Sequence, residues 1–177
     1  MLELINLRDT DDDARNTVAG WLVKEFGRYD LRFSSVDAVL ELLSQREHAF
    51  VTKVNGELIS TISFVERDDL TEVDYDWYIT DFVVRQDKRG MGYGSPTFDL
   101  MVEYVRGLGF SYAHLYVTDS TAEGIDDHDR FKEAFYGRHG FTPVTEMVDG
   151  MPEEVRFVHN EGDPEREEPV VVMRRKF

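Results

Sequence analysis

The 177-residue chain contains no cysteine. Disulfides, thiolate metal sites and a cysteine nucleophile are therefore excluded together. Lysine is scarce as well: of 20 basic residues 15 are arginine, and they face 36 acidic ones for a formal net charge of -16. So acidic a chain can form a phosphate-neutralising face only as a local patch, which disfavours nucleic acid as a partner. Long apolar runs are missing too. No stretch approaches the roughly 18 apolar residues of a membrane span, and MLELINLRDTDDD has neither the basic start nor the apolar core of a secretory signal. The expectation is a soluble, cytoplasmic protein with no membrane partner. Many acids with few lysines also suits a halophilic proteome, where acidic surfaces stay hydrated and their repulsion is screened; the alternative is an ordinary solubilising surface. The content of 41% hydrophobic and 12% aromatic residues suits one domain, residues 1–177, around one core.

What is present reads as alternating strands and helices. Leu2 to Leu7 alternates as a short strand, and the acids of DTDDD open a helix carrying Val18, Leu22, Val23 and Phe26, ended by Gly27. A second helix has Ser34 and Ser35 as candidate caps, bears Val39, Leu40, Leu42 and Leu43, and stops near His48. From Ala49 the period falls to two, giving a hairpin about Asn55-Gly56, then a third strand from Asp74 to Arg85. A helix with Ser95 as cap and Pro96 in its first position follows, bearing Phe98, Met101, Val102 and Val105 and ended by Gly107 and Gly109. Tyr112 to Val117 is a strand. A polar loop leads to the helix FKEAFYGRH, with Gly140 as its left-handed cap. Two last strands are expected near Phe141 to Val148 and Pro169 to Arg175, separated by an acidic segment, Asp149 to Glu168.

The stretch RQDKRGMGYGSPTF stands out, because Arg85, Lys88 and Arg89 gather just ahead of Gly90, Gly92 and Gly94. A strand, a glycine loop and a helix start present several N–H groups and the positive helix end to an anion, and a diphosphate suits that geometry. RGMGYGS lacks the Lys-Ser/Thr pair of the nucleotide-hydrolase loop, and its spacing differs from G-x-G-x-x-G.

Two motifs in this order of elements resemble the GNAT superfamily of N-acetyltransferases. The first is the family's pyrophosphate signature, met by Arg89, Gly92 and Gly94 after a strand ending Phe82-Val83-Val84. The second is Y-x-x-x-G-F, met by Tyr136, Gly140 and Phe141. The resemblance implies a mixed α/β fold, with a mostly antiparallel sheet of about seven strands and about four helices. It implies acetyl-CoA as co-substrate and direct transfer of its acetyl group to a primary amine. The backbone of Phe82, Val83 and Val84 would pair with the pantetheine arm, and the amides of Arg89, Gly90, Met91, Gly92, Tyr93, Gly94 and Ser95 would wrap the diphosphate. Arg85 and Lys88 are further candidates for the adenosine phosphates. Tyr136 matches the general acid, with an amide near Phe82 or Val83 as the oxyanion donor.

The base is not fixed by the resemblance, since the position where many members carry Glu falls near Tyr78. Asp81 and Asp76 are candidates; strict alternation puts Asp76 on the face of Tyr78 and Phe82, and Asp81 on the other unless a bulge changes the parity. A water relay or a neutral amine would make a dedicated base unnecessary. Asp129, in a longer loop, stands where the family often has a cofactor-contacting Asn, and no metal site is expected from Asp126 to Asp129. His139 is expected to bond the carbonyls at its helix end. The segment Asp149 to Glu168 is a candidate cover for the acceptor cleft or homodimer contact, with a disordered acidic loop as the alternative. Two other classes stay open: a non-catalytic acyl-CoA sensor, and a partner-binding module that keeps only the fold.

Overall fold

The computed structural model describes residues 1–27, 30–66, 77–118, 127–149, 151–154, 156–159 and 168–177. Contacts divide them into two compact units, one of residues 1–65 and 79–105 and the other of 66–78 and 106–177. Mixed α/β structure with mainly antiparallel pairing runs through both.

The first unit holds β1 (Leu2–Asn6), α1 (Asp12–Phe26), α2 (Val36–Gln45), β2 (His48–Val54), β3 (Glu57–Glu66), most of β4 (Trp77–Val84) and most of α3 (Gly94–Gly107). Its strands lie in the order β1-β2-β3-β4, with β1/β2 and β2/β3 antiparallel. Asn55 and Gly56, at φ 52° and 80°, form the two-residue turn that closes Val54 against Glu57, as their sequence demands. The α1 helix starts where Asp11 accepts from the Ala14 amide at 2.8 Å, with Asp12 and Asp13 favourably placed in its first turn. Its Val18, Ala19 and Leu22 cluster with Val39 and Leu43 of α2 and with Ala49 and Val51 of β2. Burying each of these larger side chains is worth about 1.5–3 kcal/mol before entropy is counted. Gly27 ends α1 for a reason other than handedness: its φ is -59°, and a Cβ there would lie 2.6 Å from the Val23 carbonyl oxygen and 2.7 Å from that of Phe33. The α2 helix is capped by Ser35 and stops at Gln45, short of the expected end near His48.

The second unit contains β5 (Tyr112–Thr118), α4 (Asp127–Arg138), β6 (Thr142–Pro143), β7 (Thr145–Val148), β8 (Met151–Glu154), β9 (Arg156–His159) and β10 (Glu168–Lys176). β10 pairs antiparallel with β5 along one edge, and on its other edge with β9 and then β6. Its consecutive residues Val170 to Met173 are all buried, the pattern of a strand covered on both faces. Two strands, β8 and β9, lie in the acidic segment from Asp149 to Glu168, for which a disordered loop was one of the alternatives. β7 and β8 pair Val148 with Met151, and Asp149 between them has φ 49°. Residues 160–167 of that segment lie outside the described residues. Asp129, expected in a loop, belongs to α4. Among the described residues no helix is long and apolar enough to cross a membrane.

Candidate functional site

The glycine loop joins β4 to α3 within the first unit. Gly90 and Gly92 have φ of +75° and +84°, a region L-residues rarely adopt, and a Cβ at either would meet nothing within 4 Å. These glycines therefore serve the turn itself, in open space beside it. Thr97 donates to the Tyr93 carbonyl at 3.1 Å, which makes Tyr93 the N-cap and starts α3 at Gly94 rather than after Ser95. Pro96 sits in the first turn, where a missing N–H costs nothing. The amides of Gly90, Gly92, Tyr93 and Gly94 donate to no backbone carbonyl among the described residues, whereas those of Lys88, Arg89 and Met91 are taken up by the preceding turn.

A chain of buried hydroxyls fixes this loop to the sheet. The Thr52 hydroxyl bonds that of Ser60 across β2 and β3, and Ser60 bonds the Thr97 hydroxyl at 2.9 Å; all three side chains are fully buried. Three satisfied hydroxyls thus lock the first turn of α3, and with it the loop, to two strands.

The three cations that drew attention in the sequence are bound to the protein's own carboxylates. Arg85 bonds Asp87 through Nε at 2.6 Å and Nη2 at 2.9 Å, Glu57 through Nη2 at 2.5 Å, and the Leu58 carbonyl through Nη1 at 3.0 Å. Lys88 reaches the other oxygen of Glu57 at 2.9 Å. Arg89 donates to the Val84 carbonyl at 2.9 Å and to Glu25 at 2.7 Å. Asp87 and then Glu57 push the Arg85 guanidinium pKa upward, while Arg85, followed by Lys88, holds the Glu57 carboxyl below its usual range. Nearby, Lys24 at the end of α1 donates to the Gln86 side-chain oxygen at 2.6 Å.

Upstream on β4, Asp81 is buried and adopts φ 50° in mid-strand, a left-handed conformation uncommon for a residue other than glycine. Its carboxylate is ion-paired with Arg46 at the end of α2, and it accepts from the Thr80 hydroxyl at 3.1 Å. A carboxylate committed to a buried guanidinium is a poor proton acceptor, so this geometry argues against Asp81 as a base. Asp76 lies outside the described residues. Val83 is buried, and half-buried Phe82 places its ring 5.8 Å from that of Phe98 on α3. Arg46, which no sequence pattern links to β4, is the site-building residue missed in the sequence.

In the second unit Tyr136 lies in the last turn of α4. The Phe141 amide donates to the Tyr136 carbonyl at 3.2 Å and the Gly140 amide to that of Gly137 at 3.0 Å, with Gly140 at φ +81°. This is a Schellman cap, so the Gly-Phe half of Y-x-x-x-G-F is the chemistry of a helix end. Arg175 of β10 donates to the His139 carbonyl at 2.9 Å and so brings a cation to this helix terminus. Tyr136 keeps part of its surface in solvent, yet the protein crowded around it pushes its phenol pKa up by desolvation, so it stays protonated.

Unpartnered backbone amides at a helix start are a geometry suited to an anion. The family model of the GNAT acetyltransferases matches residues 11–141, and the chain belongs to that family. Solved structures similar to it include spermidine N-acetyltransferase from Vibrio cholerae in complex with CoA and spermine, at 14% identity and TM-score 0.68, covering 98% of this chain and 94% of that one. An aminoglycoside 6′-N-acetyltransferase complexed with coenzyme A matches at 15% identity and TM-score 0.64, over 99% and 96% of the two chains. Ard1 from Thermoplasma volcanium matches at 16% and 0.64, over 99% and 97%. At such identities the likeness is one of fold. No curated protein matches the chain.

Proposed function

We propose that the protein transfers an acetyl group from acetyl-CoA to a primary amine. The observation that carries this reading is the set of amides at Gly90, Gly92, Tyr93 and Gly94, left without backbone partners where α3 begins, in a chain of the acetyltransferase family. The main-chain N–H groups of Gly90, Gly92, Tyr93 and Gly94 bind the diphosphate, and the backbone of Phe82, Val83 and Val84 aligns the pantetheine arm. Acetyl-CoA supplies an acetyl thioester, whose C–S bond breaks as the amine nitrogen forms the new C–N bond. The amide of Phe82 or Val83 donates to the carbonyl oxygen as negative charge gathers there. Tyr136, kept protonated by burial, donates its hydroxyl hydrogen toward the departing sulfur. Asp81 braces β4 through Arg46 instead of accepting a proton. The amine's proton passes to water or to Asp76, or the amine enters already neutral. The neighbours named for spermidine and aminoglycoside acetylation support a cationic amine as acceptor, which the acidity of this chain also favours.

Because the chain has no thiol, free coenzyme A can be followed with a thiol reagent without protein background. A panel of polyamines, aminoglycosides and peptide N-termini with acetyl-CoA should reveal turnover, and Tyr136→Phe should lower kcat about 100-fold or more. Binding of acetyl-CoA without turnover on any amine would favour a sensor, and turnover unaffected by Tyr136→Phe would remove that residue from its role.

A further inference from the structure

We propose that Glu57, Asp87 and Glu25 act as built-in counter-ions to the loop cations, so that the site grips the cofactor's diphosphate through main-chain amides and gains little from the 3′-phosphate on its adenosine. The inference rests on the acetyl-CoA reading above and concerns which part of the cofactor is recognised.

Donor accounting carries it. A guanidinium has five N–H donors in a fixed fork, and four of those on Arg85 are already used, by Asp87 twice, by Glu57 and by the Leu58 carbonyl. Lys88 shares Glu57 with it, and Arg89 is bound at both ends, to Glu25 and to the strand at Val84. Three cations are thus matched by three carboxylates around one loop. Among the described residues Arg85 keeps one N–H, Lys88 two and Arg89 three, but a phosphate that reached them would lie beside the same three carboxylates, which repel an anion and offset the cations' pull. The amides of Gly90, Gly92, Tyr93 and Gly94 carry no such cost. Arg85 stays largely covered, with 22% of its side chain exposed, because the same carboxylates hold it along the start of β3. The carboxylates thereby set specificity: they subtract the cations from the potential that an approaching ligand meets.

Isothermal titration with coenzyme A and with 3′-dephospho-coenzyme A, at a salt concentration where thermal melting shows the chain folded, tests this. Wild-type dissociation constants are expected within about threefold of each other. Glu57→Gln, at a half-exposed position and with folding checked by thermal melting, should tighten coenzyme A about tenfold and the dephospho form, which has one phosphate fewer, by clearly less, since Lys88 and part of Arg85 become available. Glu25→Gln should act in the same direction through Arg89. A wild-type preference for coenzyme A of about tenfold or more overturns the inference while leaving the acetyl-CoA reading intact. Variants that bind coenzyme A as the wild type does, or more weakly, also overturn it. If neither ligand binds the wild type, the acetyl-CoA reading fails and takes this inference with it.

Discussion

Arg46 and Arg85 each bind an aspartate within the first compact unit, but Arg46 and Asp81 show 9% and 5% of their side chains to solvent, while Arg85 and Asp87 show 22% and 65%. The difference in burial separates two uses of one interaction. At the wet rim a cation and a carboxylate can part at modest cost, so the pair mainly tunes the local potential. In the interior neither partner can be left behind in its charged form, so the pair dictates a shape, here the left-handed bend at Asp81 in the middle of β4. The loop is thus built from two kinds of parts: a strand fixed by a buried pair and buried hydroxyls, and a rim of cations quieted by their own carboxylates.

This contrast can be broken from its stiff end first. Arg46→Met strands a buried carboxylate and should cost about 3–5 kcal/mol in denaturant unfolding. Replacing Asp81 with Asn in the same chain should recover a large share of that loss, because the uncompensated charge is gone. A loss under about 1 kcal/mol would show that Asp81 is wet or protonated and would restore its candidacy as a base. Between the two extremes lies the neutral hydroxyl chain: Thr97→Val should cost about 1–2 kcal/mol and weaken coenzyme A binding, since α3 loses its tie to Ser60. At the soft end, Glu25→Gln removes a pair with side chains 39% and 30% exposed, and thermal unfolding should register less than about 1 kcal/mol.

The same division decides what could be read in advance. Local chemistry was legible: Asn55-Gly56 makes its hairpin turn, Asp11 to Asp13 open α1, and Gly140, at φ +81°, closes α4. Each of these depends on residues a few positions apart. Partners distant in sequence were not legible. Nothing in the pattern links Arg46 to Asp81, or places Glu25 and Glu57, at separations of 64 and 28 residues, against the loop arginines. The expectation of an external anion for these cations thus left out the protein's own acids. One local signal was also passed over. As sequence, Asp149-Gly150 is a hairpin signal of the same kind as Asn55-Gly56, and β7 pairs with β8 on either side of it, but the Met-Pro-Glu-Glu stretch that follows lacks alternation and hid β8. Tyr136 shows how one motif has two readings: its Gly-Phe part is a helix cap, and the family resemblance alone gives the tyrosine its chemical role.

The central claim is that main-chain N–H groups between Arg89 and Ser95 hold the cofactor's diphosphate, and an amide NMR titration with coenzyme A addresses it most directly. The account predicts that the Gly90, Gly92, Tyr93 and Gly94 resonances shift strongly and saturate together, while those of the β7/β8 hairpin stay in place. Saturable binding that leaves those four resonances unmoved would contradict it.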